Sequence, residues 1–161
     1  MDLIERIRRF FAENEIGETA GTPDTPQDVA DIGQMLNLRP NPLYQKIISE
    51  FGPCYLGLEL YARHRPDDGV IIQTQWFRQA AQDAGLSGYE HFLAIADNGS
   101  GDKILLGADS NELFLFAHDS GEILPLAQEY GCAGTLDGLI GEYLEEEENR
   151  NGKEDKDAQA V

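Results

Sequence analysis

The chain has 161 residues, of which 41% are hydrophobic and 9% aromatic, a composition that argues against a disordered chain and suits one globular domain. Its formal charge of -18 and its isoelectric point near 4.3 argue against nucleic-acid binding, because phosphate contacts need clustered Lys and Arg. The same charge favours a basic partner through electrostatic steering, or it serves solubility alone, and both interpretations remain open.

An amphipathic helix is predicted near the start of the chain, where apolar side chains from Leu3 to Phe11 recur at helical spacing. Such a helix packs on the domain or docks on a membrane. Packing is favoured, because the neighbouring Asp2, Glu5 and Glu13 would repel an anionic lipid surface.

Two further helices are predicted from their capping residues. Thr25 is an N-cap before a proline, and the helix that it opens runs to about Leu36. Asn41 and Pro42 begin the next helix, which Gly52 ends.

A change of hydrophobic period follows these helices. Between Tyr55 and Tyr61 the period is two, which predicts a strand. A turn signal occupies residues 65–69. The apolar run Val70–Ile72 then predicts a short strand that leads into a helix ending before Gly85.

The second half of the chain predicts an antiparallel meander. Three or four short apolar runs alternate with segments rich in Gly, Asn, Asp and Ser, a spacing typical of strands joined by tight turns. The runs lie near residues 92–96, 104–106, 113–117 and 123–126.

The end of the chain divides into a helix and a tail. Thr135 caps a last helix whose apolar face ends at Leu144. Residues 145–161 are acidic and polar without apolar periodicity, so we expect a solvated, largely disordered tail. The predicted organisation is therefore one domain over residues 1–144 and a tail over residues 145–161.

The cysteine content and the hydropathy indicate a compartment. Cys54 and Cys132 are too few for a disulfide scaffold or a thiolate metal site, and we expect both to be reduced and buried. The sequence has no apolar run suited to a signal peptide, and none near the roughly 20 residues that span a bilayer. We therefore expect a cytoplasmic protein without membrane contact.

Three segments carry a resemblance to a known family. Residues 92–102 (FLAIADNGSGD) combine an apolar strand, an acid and a glycine-rich turn, and residues 113–123 (LFLFAHDSGEI) combine an aromatic strand with a following His and acid. The third segment is the helix between Pro42 and Gly52. With the order of helices, meander and closing helix, they resemble the SUKH superfamily, which includes cell-wall-assembly regulators and bacterial toxin-immunity proteins.

This resemblance implies an α+β fold in which an antiparallel meander packs with N-terminal helices and a C-terminal helix. It also implies a non-enzymatic immunity protein that binds and neutralises a polymorphic or contact-dependent toxin domain, a nuclease being one case. An intracellular regulatory adaptor or ligand-binding module of the same fold is the alternative. The expected partner is a cognate toxin of basic charge, bound by a monomer or weak homodimer.

The glycine-rich turn at residues 97–102 has two interpretations. Acids and amides crowd it as in a calcium loop, but Gly99 and Gly101 stand where an EF-hand loop needs oxygen ligands. A hairpin turn is favoured, in which Asp97 and Asn98 bond the backbone of the turn itself. We therefore predict no metal site there.

Histidine chemistry is the next alternative. His118 stands beside Asp119, and His64 and His91 lie elsewhere, without ligand spacing such as His-x-x-x-His. No serine or cysteine occupies a recognisable nucleophile motif. We predict no enzyme, no catalytic residue and no cofactor, and expect His118 to be a partly buried strand-end residue bonded to a turn.

Partner contacts are predicted from an aromatic residue and from acidic turns. Trp76 fits a core position first and a protein interface second. The turn acids are ordinary solvated residues, or they form an acidic rim where turns share one edge of the meander. The predicted partner-binding residues are Trp76, Asp97, Asn98, Asp102, His118 and Asp119, with Gly99 and Gly101 as structural turn residues. Further turn acids are Asp67, Asp68 and Asp109.

Overall fold

The computed structural model describes residues 1–14, 21–63 and 69–159. Helices in these residues are α1 (Leu3–Glu13), α2 (Pro26–Leu36), α3 (Pro42–Phe51), α4 (Val70–Asp83), α5 (Leu126–Tyr130) and α6 (Leu136–Gln159). The strands are β1 (Cys54–Tyr55), β2 (Glu59–Leu60), β3 (Phe92–Asp97), β4 (Lys103–Gly107), β5 (Leu113–Ala117) and β6 (Glu122–Pro125). This architecture confirms the predicted α+β fold. The predicted turn acids Asp67 and Asp68, His64 and residues 160–161 of the predicted tail lie outside the described residues.

The first three helices begin at side-chain caps. Capping boxes join Asp2 with Glu5 at α1 and Thr25 with Asp28 at α2. Asn41 caps α3 with its side-chain oxygen. Each cap satisfies backbone N–H groups that the first helical turn leaves without partners, which confirms the predicted starts of α2 and α3.

Strands β3 to β6 form one antiparallel sheet in sequence order, which confirms the predicted meander. Because the chain reverses at every connection, residues 98–102 and 118–121 lie at one end of the sheet. Residues 108–112 lie at the other end. We call the first end, with Asp97 at its margin, the acidic end, and the second the opposite end.

Each face of this sheet buries its own apolar cluster. The larger cluster joins one face to α1, α2, α3 and α6. The smaller cluster consists of Phe77 and Ala81 of α4 with Ala94, Leu105 and Phe116 of the sheet. Full burial of a phenylalanine contributes roughly 1.5–3 kcal/mol, so Phe77 fixes α4 on the sheet and with it the adjacent Trp76.

The strand predicted between Tyr55 and Tyr61 is wrong in its extent. The segment forms the short antiparallel hairpin β1–β2, because Gly57 turns the chain with a φ of 84°. A Cβ at Gly57 would lie 3.1 Å from Cβ of Tyr143, so α6 approaches this turn closely. After β2 the chain reaches the edge of the meander, where the N–H of Tyr61 donates to the carbonyl of Ile95 at 2.7 Å.

The strand predicted at Val70–Ile72 is also wrong, since α4 begins at Val70. Val70 and Ile71 are buried in the larger core cluster. A short apolar run does not distinguish a strand from the start of a buried helix by periodicity, and here tertiary packing decides.

The expected disorder of the tail is not what the structure shows, because α6 continues through residues 145–159. Glu147 is buried, and Arg6 of α1 forms an ion pair with Glu148 at 3.7 Å. Contacts with α1 and with Asn14 after it reach Glu148 and Asn151, beyond the apolar stripe that ends at Leu144, and residues 151–159 are exposed. Within the residues described, no helix combines the length and apolar content needed to cross a membrane.

Candidate functional site

The β3–β4 turn is built by its own polar side chains. Oδ1 of Asp97 accepts a hydrogen bond from the N–H of Gly99 at 2.7 Å, and Oδ1 of Asn98 accepts from the N–H of Asp102 at 3.2 Å. Gly99 and Gly101 adopt φ values of 82° and 94°, which glycine reaches without steric cost. These contacts match the predicted hairpin turn. Among the described residues, no group of three or more His, Cys, Asp and Glu side chains could hold a metal ion.

His118 joins the β5–β6 turn to the β3–β4 turn. Its N–H donates to Oδ1 of Asp102 at 3.0 Å, and its ring Nδ1 lies 2.5 Å from the same oxygen. Its Nε2 lies 3.1 Å from Oδ1 of the exposed Asp119. His118 is therefore a strand-end residue bonded to a turn, as predicted, but it is exposed and not partly buried.

The hydrogen bonds at this junction affect the ionisation of Asp102. Burial disfavours the charged carboxyl, but hydrogen bonds donated by the backbone and ring of His118 and by Asn98 outweigh it. The pKa of Asp102 is consequently held below its ordinary value. The carboxylate form of Asp102 thus fastens the two turns together.

A lysine links Trp76 to the acidic end. Lys103 is 8% exposed and stands opposite Asp97 in the β3–β4 register. Its Nζ lies 5.1 Å from the ring centroid of Trp76 and 5.7 Å from that of Tyr61, distances that suit cation–π contacts. Trp76 itself is 45% exposed, so the core position considered first for it is wrong.

A cleft of about 550 Å³ opens beside the acidic end, between the β1–β2 hairpin, the end of β3, α5 and α6. Tyr55 and Tyr130 are half-exposed on its walls, and Tyr61 is buried. Glu59 and Asp97 contribute carboxylates, and the described lining contains no Lys, Arg or His.

The structure brings the predicted partner-binding residues to one end of the sheet. Asp97 ends β3 and Asn98 begins the β3–β4 turn, Asp102 contacts His118, and Trp76 is joined to this end through Lys103. The remaining residue is Asp119, which follows His118 in the β5–β6 turn. Asp109 lies at the opposite end.

Sequence reasoning missed three residues of this region, namely Tyr61, Lys103 and Tyr130. The hydroxyl of Tyr61 donates to Oδ2 of Asp97, and that of Tyr130 accepts from Nδ2 of Asn98 at 2.9 Å. These pairs are 36 and 32 residues apart in sequence, so no local sequence pattern predicts their contacts.

The two cysteines differ in their surroundings. Both are free thiols, and Cys54 is buried as predicted whereas Cys132 is partly buried at the cleft. Burial raises the pKa of Cys54 to about 12, which disfavours the reactive thiolate.

Comparison of the sequence with protein-family models and with curated proteins found no match. The resemblance to the SUKH superfamily therefore depends on the three sequence segments that carry it. It stays a prediction, and the partner-binding role of the acidic end stays one with it.

Proposed function

We propose that the chain is a non-enzymatic protein-binding domain that contacts a basic partner through the acidic end of its sheet. Following the SUKH resemblance, we further propose an immunity protein that neutralises a toxin domain in the cytoplasm. The observation that carries the first proposal is the half-exposed Trp76 beside turns that bear Asp97, Asp102 and Asp119.

Trp76 has the environment of an interface anchor. Ile72 stands one helical turn before it on α4 and is 47% exposed, so the two side chains offer an apolar contact area. Tryptophan is over-represented among the residues whose truncation weakens protein complexes most. The next residue, Phe77, is fully buried between α4 and the sheet and holds α4 in place, which lowers the entropy cost of binding.

The carboxylates supply steering more than affinity. Exposed ion pairs contribute roughly 0.2–1 kcal/mol each, whereas a central aromatic anchor often contributes at least about 2 kcal/mol. With a formal charge of -18, the chain attracts a cationic partner over several ångströms of solvent. The acidic end would then set the association rate and Trp76 the lifetime of the complex.

The contacts of His118 agree with a binding role. Its two ring nitrogens lie against the carboxylates of Asp102 and Asp119. A general base needs a ring nitrogen aimed at the proton that it removes, usually that of a nucleophile or water. Here the ring connects two turns.

Capture followed by a growth assay tests the proposal. Tagged wild-type chain and Trp76→Ala are used to capture proteins from the host and from competing strains, and each captured protein is identified by mass spectrometry. We expect a basic protein that wild type retains and Trp76→Ala retains weakly. Expressed alone it should arrest growth, and co-expression of the wild-type chain should restore growth. Met35→Ala is the matched control, since Met35 is an exposed apolar side chain of α2.

A second candidate function is the regulatory adaptor or ligand-binding module. The cleft favours it, because its volume of about 550 Å³ lies within the range typical of small-molecule sites. A captured partner that is harmless when expressed alone would support this candidate and contradict the immunity role.

A further inference from the structure

We infer that the cleft beside the acidic end is a subsite for one cationic side chain, arginine or lysine, of the protein partner. The inference rests on the proposed function and adds the chemistry of one contact. It follows from three properties of the cleft, which are the exposed aromatic rings, the apolar floor and the charge of its walls.

The walls present aromatic rings that are held in place. Tyr55 packs edge-on against Tyr143, with ring centroids 5.5 Å apart, and Tyr130 is fixed by the hydrogen bond from Asn98. Tyr55 is 50% exposed and Tyr130 is 53% exposed. Ring faces attract ammonium and guanidinium groups through the aromatic quadrupole.

The chain already packs one of its own cations in this way. The ammonium group of Lys103 lies over the rings of Tyr61 and Trp76, and Tyr61 also lines the cleft. The acidic end therefore accommodates an alkylammonium group in a largely buried position. This internal contact supports the same chemistry for a side chain that arrives from outside.

The floor and the charge select a long cationic side chain. Leu58, Ile104 and Leu139 line the cleft and suit the aliphatic stem of arginine or lysine. Glu59 and Asp97 also line the cleft, and their carboxylates add to its negative potential. An anionic ligand would meet carboxylates and a strongly acidic chain, so it is disfavoured.

A pair of peptides tests this chemistry on the full chain. One is a short capped peptide with a single central arginine, and the other replaces that arginine by citrulline, which keeps the shape and removes the charge. We expect the arginine peptide to bind about 2- to 30-fold more tightly than the citrulline peptide, the range expected from cation–π contacts. Nuclear magnetic resonance of the wild-type chain should show shifts at Tyr55, Asn98 and Gly99.

Two variants at one position separate the ring from the hydroxyl. Tyr130→Leu should weaken binding of the arginine peptide by about 2- to 30-fold, whereas Tyr130→Phe should keep it within about twofold. Circular dichroism checks that both variants fold. Equal binding of the two peptides, or shifts confined to residues outside the cleft, would overturn the inference. Preferential binding of free spermidine over the arginine peptide would also overturn it, because the occupant would then be a polyamine.

Failure of the cationic subsite can be distinguished from failure of the proposed function. Loss of the captured partner in Trp76→Ala with full retention in Tyr130→Leu would overturn the subsite and leave the binding role of the acidic end. Conversely, arginine-peptide binding in the cleft together with no partner capture would contradict the proposed function and support the cationic chemistry of the cleft.

Discussion

The opposite end of the sheet ties helices to strands, whereas the acidic end leaves several of its side chains exposed. At the opposite end, Nδ2 of the buried Asn41 donates to the carbonyl of Ser110 at 3.0 Å and to Oδ1 of Asn111 at 2.9 Å. The N–H of Leu136 donates to the carbonyl of Asn111 at 2.7 Å. The loop at residues 108–112 thereby joins the start of α3 to the start of α6.

At the acidic end, similar residue types have different surroundings. Asn98 bonds its own turn and the exposed Tyr130, and Asp119 is 93% exposed. An asparagine or aspartate therefore stabilises the fold where it is buried between elements and is available for recognition where it closes a turn in solvent. Four measurements, in order of decreasing expected effect, test this difference between the two ends of the sheet.

The largest effect is expected from Asn41→Ala. It removes the cap of α3 and the hydrogen bonds that the buried Asn41 donates to Ser110 and Asn111, a combined loss of about 2–4 kcal/mol in the free energy of unfolding. Asn98→Ala is the matched control at the acidic end, where we expect at most about 1 kcal/mol. Urea denaturation measures both. Equal losses would show that the two ends are held alike.

Trp76→Ala should change binding more than folding. Truncation of an interface anchor costs about 2 kcal/mol or more, which corresponds to a roughly 30-fold weaker complex with the captured partner. The unfolding free energy should fall by less than about 1 kcal/mol, because the side chain is half-exposed. Calorimetric titration and urea denaturation of the same samples give both values. A large loss of stability with unchanged affinity would assign Trp76 to the fold.

Asp102→Asn should make the stability depend less on pH. The pKa of Asp102 is lowered in the folded state, so its carboxylate stabilises the fold above the ordinary aspartate pKa, and this stabilisation is lost as the pH falls through the folded-state pKa. The variant should therefore be less stable than wild type at pH about 7, and the difference should shrink at pH about 3. Urea denaturation at both values checks it, and a difference of constant size would exclude this carboxylate as the cause.

Local signals predicted much of the fold. The capping pair of Thr25 and Asp28 is three residues apart, and the turn contacts of Asp97 and Asn98 span two to four residues. Such patterns are complete within a short window, which is why the starts of α2 and α3 and the meander were predictable.

Long-range packing decided the rest. Nothing near Trp76 in sequence indicates that Lys103 lies over its ring, and the exposure of Trp76 depends on how α4 crosses the sheet. Gly57 divides one predicted strand into a hairpin, and the close approach of α6 to that turn is a contact between distant parts of the sequence. Local sequence patterns likewise do not predict the cleft, because its lining comes from six elements, which are β1, β2, β3, β4, α5 and α6.

Association kinetics test whether the acidic end attracts a basic partner. The variant carries Asp97→Asn, Asp102→Asn and Asp119→Asn, which remove charge and nearly preserve shape. Its matched control carries Asp109→Asn, Glu112→Gln and Asp137→Asn at the opposite end.

Rates are measured with the captured partner in about 0.01 M and about 1 M salt, where the screening length is roughly 30 Å and 3 Å. At low salt we expect the acidic-end variant to associate about 2- to 10-fold more slowly than wild type and the control to stay close to wild type. At high salt the difference should nearly vanish. An acidic-end variant that associates as fast as wild type at low salt would show that the partner is not attracted by the acidic end.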